Sequence, residues 1–304
     1  MLSCAHLLLK YMTMTTRTDL PFYKMHGLGN DFIVLDSRDG QMMPDADQMR
    51  LLADRRLGLG CDQIMVIRSS DNPQTIRLDM FNADGSPAGA CGNGTRCVAR
   101  LVMDQDGADK IGIETIAGHL TGWRADKASE IISADMGPVF TDWTDIPTIK
   151  PVDTLSVDLG LAEFGPATLV SVGNPHAVFF VDDADAVDLL KWGPLAEHHD
   201  LFADRANIEF IQILDRRTIR MRVWERGAGV TMACGSGACA AAVAAARRGL
   251  TEDEVTIHLD GGALQICWRR DGDGHVVMTG PASYVAKGVV PAALLNTSSA
   301  KPGA

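Results

Sequence analysis

The chain has 304 residues, 46% of them hydrophobic, with a formal net charge of −11 and a pI near 5.1. That length favours about two domains with substantial cores, and the acidic balance, without a Lys/Arg cluster interleaved with aromatics, argues against a nucleic-acid partner. Seven scattered cysteines without a C-x-x-C pair point to a reducing cytoplasm rather than a disulfide scaffold.

Residues 1–19 show no periodicity, and Met12 and Met14 offer later starts, so a disordered N-terminal extension is expected. Leu7-Leu8-Leu9 is too short for a signal core, and no run approaches ~18 apolar residues, so neither export nor membrane insertion is expected. Next comes His26-Gly27-Leu28-Gly29-Asn30-Asp31, leading into the β-rich run Phe32-Ile33-Val34-Leu35. A phosphate-binding G-x-G follows a strand and opens a helix; this one leads into a strand, which rejects a nucleotide site. Met49, Leu52 and Ala53 predict a helix over 45–57 that ends at Gly58. Strands are predicted over 63–67 and 75–81, then a turn at Asn82-Ala83-Asp84-Gly85 and a small-residue helix opened by Ala90-Cys91-Gly92-Asn93-Gly94-Thr95-Arg96-Cys97. Strands near 111–115, 119–124 and 130–134 complete this half, and Gly137-Pro138 marks the junction.

The second half replays that order. A strand carries the Gly173-Asn174-Pro175-His176 turn, and a helix near 184–192 is expected to be interrupted by Gly193-Pro194. Strands near 207–213 and 218–225 precede a second helix, opened by Ala233-Cys234-Gly235-Ser236-Gly237-Ala238-Cys239. Its alanine-rich body suits a centrally buried helix, and Arg247, Arg248 and Gly249 supply a basic last turn and an αL cap. Strands near 254–259, 263–268 and 275–279 follow.

Polar residues repeat with these words. Cys91 and Cys234 are separated by 143 residues (234 − 91), as are Asn82 and Glu225, while Asn30 and Asn174, and Gln63 and Asn207, are separated by 144. A period far above the ~20–50 residues of a solenoid implies two domains of one plan, with a nearly symmetric site between them.

A cysteine at a helix start faces free N–H groups and the positive end of the macrodipole, which predicts a lowered thiol pKa. The glycines after it would let the backbone approach a carboxylate. Zinc or iron–sulfur ligation is disfavoured, because the spacings C-x5-C and C-x4-C point different ways on a helix. Cys61, Cys97, Cys239 and Cys267 read as core thiols. Two equivalent acid/base groups on opposite sides of one carbon fit a 1,1-proton transfer, which is racemisation or epimerisation. No signature of pyridoxal phosphate is present, so hydrogen-bond donors in a closed pocket must stabilise the carbanion.

The words quoted, with Asn82-Ala83-Asp84-Gly85-Ser86 and Glu225-Arg226-Gly227-Ala228-Gly229, resemble the diaminopimelate epimerase family in order from residue 22 to about 285. The resemblance implies an α/β (α+β) fold of two pseudo-symmetric domains, each a curved mixed sheet around a central helix, and a cofactor- and metal-independent epimerase acting on LL-2,6-diaminopimelate. It implies Cys91 and Cys234 as base and acid, and His176 and Glu225 as the pair tuning the thiols. Asn30, Gln63, Asn82, Asn174, Asn207, Glu225 and Arg226 would bind substrate, with Gly92, Asn93, Gly235 and Ser236 donating N–H groups to its carboxylate. It further implies a homodimer with Tyr284 at the interface, and a cytoplasmic place in lysine and peptidoglycan precursor synthesis. Val230 and Pro87-Ala88-Gly89 depart from the family pattern without removing a ligand.

The expected division is 20–137 for the first half, with 281–304 a candidate addition, and 138–280 for the second. A proline- or hydroxyproline-type racemase is the alternative, against which Asn93 and the Glu225-Arg226 pair argue. An amino-acid binding protein without turnover is the alternative from another class.

Overall fold

The computed structural model describes residues 19–40, 43–89, 91–126 and 130–295. Residues 1–18, and with them nearly all of the expected N-terminal extension, lie outside the described residues. The first half runs β1 (Leu20–Gly27), β2 (Asn30–Asp36), α1 (Ala46–Ala53), β3 (Gln63–Ser69), β4 (Thr75–Asn82), α2 (Gly92–Asp106), β5 (Lys110–Thr115), β6 (Gly118–Arg124) and β7 (Ile131–Pro138). The second runs β8 (Thr168–Ser171), β9 (Pro175–Phe180), α3 (Leu189–Glu197), β10 (Asn207–Asp215), β11 (Thr218–Glu225), the two-residue β12 (Gly229–Val230), α4 (Gly235–Arg247), β13 (Glu254–Leu259), β14 (Gly262–Trp268) and β15 (His275–Pro281). β16 (Ser283–Val290) then returns to pair antiparallel with β1, and α5 (Ala292–Leu295) follows.

All strands belong to one mixed sheet, and the pairing repeats. β2 and β3 are parallel, as are β9 and β10; β4 and β5 are parallel, as are β11 and β13. The halves meet where β7 pairs antiparallel with β15. There Ala134 stands opposite Met278, its own counterpart 144 residues on, as a local twofold relation between repeats requires. Each half therefore presents the same end of its central helix to the other.

Those helices are α2 and α4. In the first half Cys97, Val98, Leu101 and Val102 of α2 pack against Met25, Phe32, Met65 and Leu78 of the sheet. Gly107 ends α2 in the left-handed conformation (φ 68°), its N–H donating to the Met103 carbonyl. In the second half 238–246 is buried throughout against Ile211, Met221, Ile257 and Ile266. Alanines let the sheet close tightly around this helix, so a larger residue such as Leu at Ala241 would overpack it, at about 1–3 kcal/mol. Arg247 and Arg248 tie its end to β8 through the Leu169 carbonyl (2.9 Å) and the Thr168 hydroxyl (2.7 Å), and Gly249 takes φ 71° as expected.

Two elements differ from expectation. α1 stops at Ala53 because the Asp54 carboxylate accepts the N–H groups of Arg56 and Leu57, both at 2.7 Å, which folds the chain into a turn. α3 starts five residues later than expected and runs through Gly193-Pro194. Asp188 caps its start, and Gly193 leaves room for the Trp224 ring of β11. The carbonyl that Pro194 leaves without a partner belongs to the exposed Leu190, where solvent can satisfy it.

The β1–β2 turn links the halves. Leu28 (φ 55°) and Gly29 (φ 84°) make a two-residue hairpin turn, and Leu28, 7% exposed, is buried in the second half's core. Gly262 makes room for it: a Cβ there would lie 2.8 Å from Leu28 Cδ2.

Candidate active site

Cys91 is the N-cap of α2 and Cys234 the N-cap of α4. Both have extended backbone, and each sulfur accepts the N–H three residues on, from Gly94 at 3.4 Å and Gly237 at 3.3 Å. Both line a cavity of about 740 Å³ between the halves. The first half contributes Asn30 from the β1–β2 turn, Gln63 and Asn82 from neighbouring strands, and Gly92 and Asn93 from the start of α2. The second contributes Asn174 from the turn between β8 and β9, Glu225 from the end of β11, and Gly235 and Ser236 from α4.

Hydrogen bonds hold this lining. Gln63 donates to Asn82 Oδ1 (3.1 Å) across a directly opposed strand pair, and Asn82 donates to Ser86 (3.1 Å). Asn93 Nδ2 reaches both Asn30 Oδ1 (3.3 Å) and the Ala233 carbonyl (3.1 Å), joining the two helix starts. Cys91 Sγ stands 3.8 Å from Asn30 Oδ1, and Cys234 Sγ stands 3.5 Å from Ser236 Oγ.

The glycines of the cysteine words have a packing reason beyond ligand approach. Met278 lies between the helix starts: a Cβ on Gly92 would collide with its methyl, and one on Gly235 would lie 3.0 Å from its sulfur. Gly94 makes way for Met65, and Gly237 for Glu209.

Four expected site residues lie away from the lining. Fully buried His176 stands behind Asn174, with Nε2 3.0 Å from Asn174 Oδ1 and Nδ1 2.7 Å from Glu209 Oε1. Asn207 is buried, donating to the Pro175 carbonyl and accepting the Arg226 N–H (3.0 Å). The Arg226 guanidinium pairs with Asp204 at 3.1 Å. Tyr284, on β16, donates to Asp104 (2.8 Å) beneath the Arg100 guanidinium, on a face remote from the cavity lining.

The structure also adds residues that sequence reasoning missed. Arg55 brings a guanidinium to the cavity, held by Asp31 (2.8 Å) and Asp62 (2.7 Å), and Asp62 accepts from Asn30 at 2.9 Å. Burial opposes ionisation of Asp31, yet hydrogen bonds from Arg55 and Lys24 hold its carboxyl down to about 2. Thr231 donates to Glu225, and the wholly buried Glu209 faces His176. The equal offset of Asn30 and Asn174 was visible in the sequence; nothing at Asp62 or Glu209 repeats.

The thiols differ from the sequence expectation. Burial pushes Cys91 up to about 12, against the Gly94 N–H, with Glu225 adding to the push and Arg96 opposing it. Burial pushes Cys234 well above the ordinary thiol range, with Glu225 and Glu209 adding to it and Ser236 and Gly237 opposing it. The helix-start groups act in the expected direction, but lost hydration outweighs them. Glu225 is itself raised by burial, against hydrogen bonds from Thr231 and Cys234.

Two thiols facing one cavity from equivalent helices define a two-half fold of the racemase and epimerase type. A solved structure described as a probable proline racemase from Agrobacterium radiobacter superposes with a TM-score of 0.66, covering 88% of this chain and 92% of that one at 14% identity, a likeness of fold. The family model described as Diaminopimelate epimerase matches residues 22–141 and 168–285. The Diaminopimelate epimerase of Rhodospirillum centenum is 52% identical over 91% of this chain and 94% of its own length, and that of Acidiphilium cryptum is 48% identical over 90% and 98%. The chain belongs to the diaminopimelate epimerase family.

Proposed function

We propose that this cavity inverts one α-carbon of LL-2,6-diaminopimelate to give the meso isomer, with Cys91 and Cys234 as the two bases. Family membership supports the reaction, an isomerase activity that serves lysine and peptidoglycan precursor synthesis. The observation that carries the two-base reading is the pair of cysteine N-caps, one from each half, on a single cavity.

In one direction the Cys91 thiolate takes the α-proton, forming S–H as Cα–H breaks. The electron pair passes into the substrate carboxylate, held by the N–H groups at the starts of α2 and α4, from Gly92, Asn93, Gly235 and Ser236. The Cys234 thiol then gives its proton to the opposite face and becomes the thiolate; the reverse reaction exchanges the roles. Burial of both thiols raises the basicity of whichever sulfur is ionised. An ammonium group brought beside the sulfurs favours that ionisation, with Glu225 next to Cys234 and His176 behind Asn174 tuning it.

Asn30, Gln63, Asn82, Asn174 and Asn207 are assigned to substrate polar groups, and Glu225 to an ammonium. Arg226 is assigned to the distal carboxylate, which would compete with Asp204 for the guanidinium. No cofactor or metal is assigned a step. The halves are assigned to 20–137 with 281–304, and to 138–280; the pairing of β16 with β1 supports the return. We assign a homodimer through the β16 face around Tyr284, where Val285 and Val289 are exposed, to be checked by sedimentation. No helix among the described residues is long and apolar enough to cross a membrane, and the assigned compartment is the cytoplasm.

A panel of LL-diaminopimelate, L-proline and trans-4-hydroxy-L-proline without added cofactor tests the substrate assignment. Turnover of diaminopimelate alone is expected. Turnover of the prolines alone would replace it, and binding without turnover would favour a binding protein.

A further inference from the structure

Glu209 is the fully buried carboxyl on β10, and the two-base scheme gives it no task. Its Oε1 lies 2.7 Å from His176 Nδ1, while its Oε2 is buried without a hydrogen-bond partner among the described residues. From His176 a chain of contacts runs to the reacting sulfur. Nε2 meets Asn174 Oδ1 at 3.0 Å, Asn174 Nδ2 donates to Ser236 Oγ at 3.3 Å, and Ser236 Oγ is 3.5 Å from Cys234 Sγ. Among the described residues, the first half has no such chain of donors toward Cys91: its sulfur meets Asn30 Oδ1, an acceptor, directly.

The donors in this chain can be ordered from the chemistry of each group. Asn174 Oδ1 only accepts, so Nε2 of His176 carries the hydrogen. Ser236 Oγ accepts from Asn174, which leaves its own hydrogen free to point at Cys234 Sγ. Every donor therefore points toward the sulfur. At the far end, Nδ1 and Oε1 share one hydrogen, as a neutral carboxyl donating to imidazole or as a carboxylate accepting from imidazolium. In both forms the pair has no net charge, so the upward push that a Glu209 carboxylate alone would give Cys234 is offset by the hydrogen shared with His176. Gly237 permits the approach, since a Cβ there would lie 2.7 Å from Glu209 Oε1.

We propose that Glu209 is a positioning residue for Cys234: it keeps the hydrogen of His176 on Nε2, and so orients Asn174 and Ser236 to donate toward the sulfur. Glu209 has this role only if Cys234 is one of the two reacting thiols, as assigned above. It acts through His176 and touches neither substrate nor sulfur by a hydrogen bond.

The test compares full-length wild type with Glu209→Ala and Glu209→Gln, reading iodoacetamide alkylation of Cys234 and Cys91 separately by peptide mass spectrometry. In Glu209→Ala, alkylation of Cys234 slows by about tenfold, the scale of one lost hydrogen bond to an anion, while Cys91 stays within about twofold. Glu209→Gln, whose amide N–H can donate to Nδ1 in place of the carboxyl proton, stays within about threefold of wild type. A Glu209 acting only as a buried negative charge gives the opposite sign, with faster alkylation of Cys234 in both variants, and that result or no change overturns the proposal. Nitrogen-15 NMR of His176 in wild type needs no variant to fold: a hydrogen on Nε2 is expected, and a bare Nε2 overturns the proposal. If the two-base assignment itself is wrong, Cys234→Ala turns over diaminopimelate near the wild-type rate, a separate result from either readout.

Discussion

Cys91 and Cys234 occupy the same position in two different helices. Each sulfur is the N-cap acceptor, 3.4 Å from the Gly94 nitrogen and 3.3 Å from the Gly237 nitrogen, and both face one cavity. The twofold relation that sets Ala134 opposite Met278 makes these helix starts face each other. In the proposed scheme cap and reacting group are one atom, so substitution separates structural from chemical roles. Cys91→Ala and Cys234→Ala each lose one cap, at about 0.5–2 kcal/mol, and each lose epimerisation by about 10³-fold or more. Cys91→Ser and Cys234→Ser retain a capping oxygen, so their thermal stability stays close to wild type while their turnover is as low as that of the alanine variants. Turnover near wild type in any of the four would remove that cysteine from the scheme.

Burial sets the reactivity of the free thiols. With Cys91 pushed up to about 12 and Cys234 well above the ordinary thiol range, both are protonated at neutral pH. The thiolate fraction then grows about tenfold per pH unit, so alkylation of either cysteine rises without a plateau between about pH 7 and pH 9. A plateau near neutrality would show that the helix-start N–H groups outweigh burial after all.

Leu28 ties the first half to the second. It accepts a left-handed backbone (φ 55°) in order to bury its side chain in the other half's core. Leu28→Ala keeps the unfavourable backbone and gives up the burial, which lowers stability by about 2–4 kcal/mol in denaturant unfolding. Leu28→Gly relieves the backbone and loses about 1 kcal/mol less.

Asp31 makes stability depend on acid. Its carboxyl is held down to about 2 from 3.8, so its contribution is fully present above the unfolded value and is lost as pH falls through about 2. The expected contribution is about 1–2 kcal/mol at neutral pH. Asp31→Asn therefore loses stability at pH 7, measured by urea unfolding, and the gap from wild type closes as pH falls below about 4 toward 2. An equal gap at both ends would mean that the ion pairs with Lys24 and Arg55 are not its source.

Much of this architecture was legible because the chain states its plan twice. The β-rich runs at Thr218–Glu225 and Glu254–Leu259 fall at the expected residues, and Gln63 and Asn82 have sequence counterparts in Asn207 and Glu225 at nearly the same offset. What was not legible depends on packing between the halves. Leu28 reads as a loop residue until the second core is there to receive it. Glu209, between Ile208 and Phe210, reads as an outward-facing strand residue, because only the folded chain shows His176 on that side. Gly193-Pro194 reads as a break until Trp224 and the Asp188 cap hold the helix. The thiol direction was misjudged because the helix dipole is local, whereas desolvation depends on everything the fold places around the sulfur.

The most direct test of the central claim is incubation of the purified protein with LL-diaminopimelate in D2O under reducing conditions, without added cofactor, following stereochemistry and α-deuterium together. The two-thiol account predicts formation of the meso isomer with deuterium at the inverted carbon, because the thiol that delivers the new hydrogen has exchanged with solvent. Conversion with the original hydrogen retained at that carbon would contradict proton transfer between two separate thiols, and no conversion would contradict the assigned reaction.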